Sequence, residues 1–533
     1  MSSHTSDTLW AAMRNPAFYP HTTHNIQVIH THISTIFLTG EFAYKIKKPV
    51  NFGFLDFTQL AARQHFCEEE IRLNRRLAPQ LYLEVVPIVQ IGNTYQLGSA
   101  TLNAGGTVVE YAVKMRQFDP TQQLDRLLSA GLLAVEQVDN IATRLAQFHQ
   151  QAEVAPAESP WGKPANILTP MQQNFTLLRQ QLSDPALLRC LSLLEDWTQQ
   201  EYSRCHAHLS QRQQKGHIRA CHGDLHLGNI ALIDGEITFF DGIEFSEALR
   251  WIDTASDCAF LLMDLEDKGK PAWAHRLLNI WLTETGDYAA LSILRFYKVY
   301  RAMVRAKVHA LRLTQVEDTA ARADCLQHCV NYLNLAASYT QASHPALLIT
   351  HGLSGSGKSW GCRPLVEQLG YIQLRSDVER KRLAAMQATE HSSAGLNQGL
   401  YSDDMSIRTY EHLAELATLA LQSGYSVVID ATFLSIEQRQ RFRTLAAQQH
   451  VAFLILHFSG TPAQLAANIT RRQQAGNDAS DADIAVLQQQ LTHYKPLQDN
   501  EPYVTVRFSE SLPLARIQAL LDCSEKHGVE NAP

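Results

Sequence analysis

The chain has 533 residues, 45% hydrophobic and 19% charged, with a formal net charge of −7. At roughly 150 residues per domain this length predicts about three to four domains, and the composition excludes a disordered or collagen-like chain. The mildly acidic balance excludes a general binder of nucleic acid or membrane surfaces and leaves open a local basic stripe. Nine cysteines with no C-x-x-C pair predict reduced thiols and a cytoplasmic home. Cys325, His328 and Cys329 are read as one helix face turned to a core, because a zinc site needs about four ligands. The first twenty residues lack an apolar segment of the kind that targeting signals carry, and no run of about 18 apolar residues predicts a membrane span. His21, His24, His30 and His32 crowd the N-terminal end and are expected at the surface.

Residues 26–48 alternate like two strands, through Ile26–Ile29 and then through Ile36–Leu38 and Phe42–Ile46. A helix is predicted from Gln59 to Leu77, ended by Ala78-Pro79. Strands follow at 85–91, 94–97 and 108–115. From Leu124 the periodicity is helical, apart from a strand-rich island at 218–245. This order predicts a small sheet-plus-helix lobe over 1–115 and a larger helical lobe over 116–340. The polar stretch 338–345 ends in Pro345 and reads as a linker. Beyond it apolar runs at 346–350, 371–374, 426–429, 451–458 and 503–508 alternate with helices. That alternation predicts a parallel sheet in a domain over 345–533.

Residues 222–229 read His-Gly-Asp-Leu-His-Leu-Gly-Asn, followed by Asp241-Gly242. Two apolar strands flank Asp234-Gly235, a strong two-residue hairpin turn. If Ile233 pairs with Glu236, then Asn229 pairs with Phe240, and Asp241 lies beside Asn229 at the open end. Two adjacent oxygen ligands suit Mg²⁺, and Asp224 is placed to take the proton of an acceptor hydroxyl.

With this motif, residues 25–335 resemble the aminoglycoside phosphotransferase and choline kinase-like branch of the protein-kinase fold. The resemblance implies a bilobal domain with Asp224 as catalytic base, Asn229 and Asp241 as magnesium ligands and His222 bracing the loop. Tyr44-Lys45-Ile46-Lys47 looks like the strand carrying the phosphate-binding lysine, with Lys45 preferred over Lys47. Its helix partner would be Glu70, with Glu68 and Glu69 as rivals. One departure stands out: the turn His30–Thr35, where that family carries a glycine-rich phosphate cover, has no glycine.

Residues 352–359 read Gly-Leu-Ser-Gly-Ser-Gly-Lys-Ser, after an apolar strand and before a helical stretch ending at Gly370. In G-x-x-x-x-G-K-[ST] the glycines, here Gly352, Gly355 and Gly357, let backbone N–H groups around Ser356 wrap a phosphate. Lys358 reaches the outer phosphates and Ser359 holds Mg²⁺. Asp377 and Arg380 follow the next strand three residues apart, so on a helix they face the same way. They suit hydroxyl activation and phosphate clamping; the alternative is a capping Asp with a surface Arg. Asp430 ends the third strand, and Arg471 and Arg472 lead into a polar stretch, 473–483, with the character of a mobile lid.

Residues 346–533 resemble small P-loop kinases of the zeta-toxin, gluconate kinase and polynucleotide 5′-kinase group. The resemblance implies Asp377 as base, Arg380 on the transferred or acceptor phosphate, Arg471 or Arg472 as lid arginine, and Asp430 as the third-strand acid. A nucleic-acid end is one acceptor that this group would allow.

Together these motifs predict an α/β and α+β multidomain chain, a kinase-like bilobal domain followed by a P-loop NTPase domain. The function expected is a bifunctional cytoplasmic phosphotransferase using ATP and Mg²⁺ at two sites. The alternatives are a P-loop kinase or ATPase regulated by a pseudokinase-like module, and a hydrolytic switch with no acceptor. One further pattern bears on the acceptor. Arg295, Lys298, Arg301, Arg305, His309 and Arg312 lie on one face of a helix predicted over 291–313. That stripe is either solvated or ion-paired internally, or it faces anions; in the last case the acceptor is anionic and not a polycationic aminoglycoside.

Overall fold

A computed structural model of the chain describes residues 3–23, 25–51, 53, 55–98, 106–386, 402–475, 480, 482–507 and 510–529. His24, Phe508 and, in the polar stretch after Arg472, residues 476–479 and 481 lie outside the described residues. The chain forms two compact units. One comprises 1–140, 151–166 and 210–264; the other comprises 141–150, 167–209 and 265–533. Segments of the 116–340 stretch therefore enter both.

The first unit is built on six antiparallel strands: β1 (Gln27–His30), β2 (Ser34–Leu38), β3 (Phe42–Lys47), β4 (Tyr82–Ile91), β5 (Thr94–Leu97) and β6 (Thr107–Arg116). Their spatial order is β1-β2-β3-β6-β4-β5. Three strands stand over 27–47 where the alternation suggested two. The chain turns twice there, at Thr31–Ile33 and again at Gly40, whose φ of +103° suits a residue without a Cβ. Period-two geometry sends Tyr44 and Ile46 to one face and Lys45 and Lys47 to the other. On the first face Tyr44, Ile46, Phe37 and Ile88 pack with Leu9 and Met13 of the N-terminal helix. On the second face lies the helix Leu60–Asn74, which buries Arg63, Cys67, Glu70, Ile71 and Asn74 at helical spacing.

The same unit holds two short antiparallel pairs. β7 (Ile218–Ala220) pairs with β10 (Trp251–Asp253), and β8 (Ile230–Ile233) pairs with β9 (Glu236–Phe239). The β8–β9 turn has Asp234 at φ 52° and Gly235 at φ 84°, both positive as a two-residue hairpin requires. β10 escaped the sequence pattern because three residues carry no measurable period. His21, expected at the surface, is half-buried, bonded to Thr39 and stacked on Tyr44; His30 and His32 are exposed.

The second unit contains a parallel sheet of β11 (Ala346–His351), β12 (Ile372–Arg375), β13 (Val427–Asp430), β14 (Ala452–Ser459) and β15 (Tyr503–Arg507), in the order β12-β13-β11-β14-β15. Every residue of β11 and β13 is buried, as expected of parallel strands covered on both faces. Strand β12 is an edge, and the helix Pro271–Thr285 covers it. Asn279 Oδ1 accepts from Gln373 N at 2.8 Å and Asn279 Nδ2 donates to Tyr371 O at 3.0 Å. A single side chain thus stands in for a neighbouring strand.

The basic stripe lies on the helix Leu291–Arg312, packed against the helix Thr319–Tyr339. Lys298 pairs with Glu266 at 2.7 Å and sits over the Tyr339 ring. Arg305 lies over the Tyr332 ring, His309 stacks on His328 and Tyr332, and Arg301 is buried. Periodicity tells which residues share a face; here Lys298 meets an acid and Arg305 and His309 meet rings of the same unit, as the internally paired alternative expects, while Arg312 at the end of the stripe is exposed. Cys325 and Cys329 face the core as expected. Among the described residues no helix is long and apolar enough to cross a membrane.

Candidate active sites

In the first unit the β8–β9 register carries through to the site: Phe240 N donates to Asn229 O at 3.0 Å. Asn229 and Asp241 therefore close the open end of the hairpin. Asn229 Nδ2 donates to Asp224 O at 2.9 Å and to Asp224 Oδ2 at 3.3 Å, which ties the loop acid to its neighbour. Asp241 has a left-handed φ of 59° and is held by its N–H, which donates to Tyr82 Oη at 3.0 Å. Gly242 N donates to Asn74 Oδ1 at 2.8 Å.

Lys45 Nζ lies 2.6 Å from Asp241 Oδ1 and 2.8 Å from Glu70 Oε1. Lys47 Nζ lies 2.8 Å from Glu70 Oε2 and also pairs with Glu244. Glu70 thus bridges both lysines, whereas Glu69 pairs with Arg72 and Glu68 with Gln64 on the outer face. Burial raises the cost of charge on Glu70, yet Lys45 and Lys47 hold its carboxyl below the usual glutamate range. At Glu244 burial prevails over Lys47, and the carboxyl is pushed up.

The loop 222–229 is braced from below. Asp257 accepts from His222 N and Gly223 N, at 3.1 and 2.9 Å, and Asp264 accepts from Leu227 N at 2.8 Å. Both acids are buried on the helix Thr254–Asp267. Sequence reasoning passed over Glu244, Asp257 and Asp264; the seven-residue step between the last two was the signal available. His222 Nε2 lies 2.9 Å from Phe240 O, and burial lowers the imidazole pKa. The glycine-free turn between β1 and β2 is tight: His30 pairs with Thr35, and Thr31 N donates to Ser34 O at 2.9 Å.

In the second unit the chain leaves β11 through a loop that only glycine permits at two points. A Cβ on Gly352 would come 2.5 Å from Phe458 O, and one on Gly355 would come 2.5 Å from Leu465 O, both with positive φ. Asn468 Nδ2 donates to Gly355 O at 2.9 Å, and Ser354 N donates to Gln490 Oε1 at 2.8 Å. The helices Pro462–Ala475 and Ile484–His493 therefore hold the loop in place. Lys358 Nζ donates to Gly352 O and Leu353 O, at 3.0 and 2.9 Å. Burial lowers its pKa, against the pull of Asp430 and Asp377.

A cleft of about 820 Å³ opens beside this loop. It brings together Lys358, Ser359, Asp377, Arg380, Asp430 and Arg472. Gly355 and Gly357 also line it, whereas Gly352 and the buried Ser356 do not. Of the two candidate lid arginines Arg472 reaches the cleft; Arg471 is exposed and outside it. Arg380 Nη1 donates to Asp377 Oδ1 at 3.1 Å. Burial opposes the charge on Asp377, but Arg380, Ser480, Arg375 and Arg472 hold its pKa below the usual aspartate value. Asp430 Oδ2 accepts from Gln373 Nε2 at 3.2 Å.

The helix Ser376–Leu383 that carries this pair is anchored by Glu379, which sequence reasoning did not single out. Its carboxylate has no exposure and accepts from Tyr288 Oη at 3.1 Å and Arg382 Nε at 3.0 Å, with His412 Nε2 at 3.3 Å. No local pattern could reveal this, because Tyr288 stands 91 residues away.

Residues 56–294 match the Phosphotransferase enzyme family, and residues 347–497 match an AAA domain. Over 460 residues the chain is 32% identical to Uncharacterized protein Rv2004c of Mycobacterium tuberculosis (strain ATCC 25618 / H37Rv), covering 86% of this chain and 89% of that one. The chain belongs to the family of Rv2004c.

The Rv2004c-family chain is a kinase-like phosphotransferase domain followed by a P-loop kinase domain. Similar solved structures include Plasmodium vivax ethanolamine kinase Pv091845, 11% identical over 58% of this chain and 81% of that one, with a TM-score of 0.37. A gluconokinase from Sinorhizobium meliloti 1021 is 22% identical over 36% of this chain and 99% of that one, with a TM-score of 0.25. In the phosphotransferase domain the matched residues span Glu70, Asp224, Asn229 and Asp241, and Lys45 precedes them. In the P-loop domain they span everything from Gly352 to Arg472.

Proposed function

We propose that this chain is an ATP-dependent phosphotransferase whose P-loop domain moves the γ-phosphoryl group of ATP onto an acceptor hydroxyl. The observation behind this reading is the Asp377–Arg380 pair lining one cleft with Lys358, Asp430 and Arg472. Asp377, held ionised, takes the proton of the hydroxyl as the new O–P bond forms and the bond to the β-phosphate oxygen breaks. Arg380 and Arg472 offset charge on the transferred group, and Lys358 swings from the Gly352 and Leu353 carbonyls to the outer phosphates. Ser359 and Asp430 are hard oxygen donors and fit Mg²⁺, which when bound would neutralise phosphate charge. A simple hydrolytic switch has no need of an acceptor base, so the pair favours transfer. Acceptors in scope are small polyols and the 5′-hydroxyl of a nucleic-acid end.

For the first domain we propose the same chemistry, with Asp224 as base, Asn229 and Asp241 as oxygen donors that fit Mg²⁺, and Lys45 on the phosphates. His222 positions the loop. A specific observation favours a second reading of this domain as a regulatory, pseudokinase-like module: the β1–β2 turn is a tight hairpin without glycine, which leaves little backbone to fold over phosphates. The thiols of Cys67, Cys190, Cys205, Cys325, Cys329 and Cys362 are unpaired, which supports a reducing, cytoplasmic setting.

The test is a screen of metabolites and oligonucleotides with γ-labelled ATP, run on wild type, Asp377→Asn and Asp224→Asn. The amide in Asp377→Asn fills the same space and cannot take a proton, so transfer by the P-loop domain should fall about 10²–10⁴-fold with ATP binding kept. Transfer within about threefold of wild type would make Asp377 structural. Asp224→Asn should silence only the first activity; if the chain holds a single activity, lost in Asp377→Asn alone, the regulatory reading of the first domain stands.

A further inference from the structure

Trp360 follows Ser359 directly and is 67% exposed. The residues around it are spent on the phosphate loop and on the core: Lys358, two before it, bonds the loop carbonyls, and Gly361, next after it, is buried against Phe458. Among the exposed large apolar side chains of the described residues, Trp360 is the one that lines the cleft of Lys358 and Asp377. Among the described residues no ring stacks on its indole. A tryptophan left in water forfeits the largest apolar area of any side chain. A flat π-face at the wall of a cleft that gathers phosphate-binding side chains suits a planar heteroaromatic ring whose phosphates lie in the same cleft.

We propose that Trp360 is a stacking platform for the base of a nucleotide bound at the P-loop site. This rests on the reading of Gly352–Ser359 as a phosphate-binding loop. The base belongs either to the ATP donor or to a nucleotide acceptor, and stacking tolerates any base because each has a π-face. Trp360 therefore sets the class of molecule the cleft holds, while Lys358 and the arginines hold charge.

The experiment is calorimetric titration of the full chain, with Mg²⁺ present, as wild type, Trp360→Ala, Trp360→Phe and Lys358→Ala. The probes are ATP, inorganic tripolyphosphate and, with ADP saturating, AMP and a short single-stranded oligonucleotide. Trp360→Ala should lower ATP affinity about five- to a hundredfold and leave tripolyphosphate within about twofold, with Trp360→Phe restoring most of the loss. An unchanged ATP affinity with a comparable loss for AMP or the oligonucleotide would place the stacked base on the acceptor. Equal losses for ATP and tripolyphosphate, or no loss for any nucleotide, would overturn the proposal. Lys358→Ala separates the two layers: the P-loop component of ATP binding should vanish. If it persists, the loop reading itself falls, whatever Trp360 does.

Discussion

Lys45 and Lys47 share one face of β3 and one carboxylate, so the choice between them turns on what each loses when truncated. Lys47 has no exposure, and its ammonium meets Glu70 at 2.8 Å and Glu244 beside it. In Lys47→Met two buried carboxylates face each other with Lys45 alone to balance them. Removing one partner of a buried ion pair costs about 3–5 kcal/mol. Lys45 keeps 10% side-chain exposure, and its partner Asp241 keeps 47%. Water can therefore compensate part of the loss in Lys45→Met, and about 1.5–3 kcal/mol is expected, the scale of hydrogen bonds to charged groups. The functional order is the reverse: Lys45→Met should remove nucleotide binding at the first domain, because Lys45 is the lysine that reaches Asp241. The pH dependence has a definite sign. In the wild type Glu70 is held low, so its contribution to stability is present at neutral pH and is lost as pH falls through that lowered value. Without Lys47 both carboxyls are pushed up by burial and by each other. The deficit of Lys47→Met should therefore be largest at neutral pH and shrink as pH falls toward the glutamate range, about 4.3. Urea unfolding of the full chain at pH 7.5 and pH 5 would measure this, with amide exchange in β2 and β3 assigning the transition to the first unit. Greater destabilisation by Lys45→Met, or a Lys47→Met deficit that does not change between those pH values, would refute the reasoning.

Two further substitutions probe the P-loop domain. Tyr288→Phe removes the hydroxyl that donates to the fully buried Glu379 and also meets Thr283, so about 1.5–3 kcal/mol should be lost, seen as faster amide exchange in the helix Ser376–Leu383; unchanged exchange there would mean that Arg382 and His412 suffice. Gly355→Ala puts a Cβ 2.5 Å from Leu465 O at a φ of +81°, so ATP binding by the P-loop site should be lost while circular dichroism stays that of the wild type; unaltered calorimetric affinity would show that the loop can shift at no cost.

Local chemistry was enough to read the two halves of this chain. The Asp234-Gly235 turn sets the β8–β9 register, and the register alone brings Asn229 to Asp241, because pairing in a hairpin is arithmetic from the turn outward. The glycine spacing at 352–357 likewise has few conformations open to it, and unbroken apolar runs announce buried parallel strands. The tertiary structure decided everything that depends on what a face meets. The stripe from Arg295 to Arg312 has its period written in the sequence, but its partners are Glu266, Tyr332 and Tyr339, from other helices. Glu70 was distinguishable from Glu68 and Glu69 by helical phase, yet its sharing between Lys45 and Lys47, with Glu244 closing the far side, required the sheet, the helix and the loop after β9 to be in place together. The same holds in part for Glu379 beside Asp377: Arg382 is its local partner three residues on, but the rest of what makes a carboxylate with no exposure tolerable, Tyr288 and His412, arrives from distant segments that no short window of sequence contains.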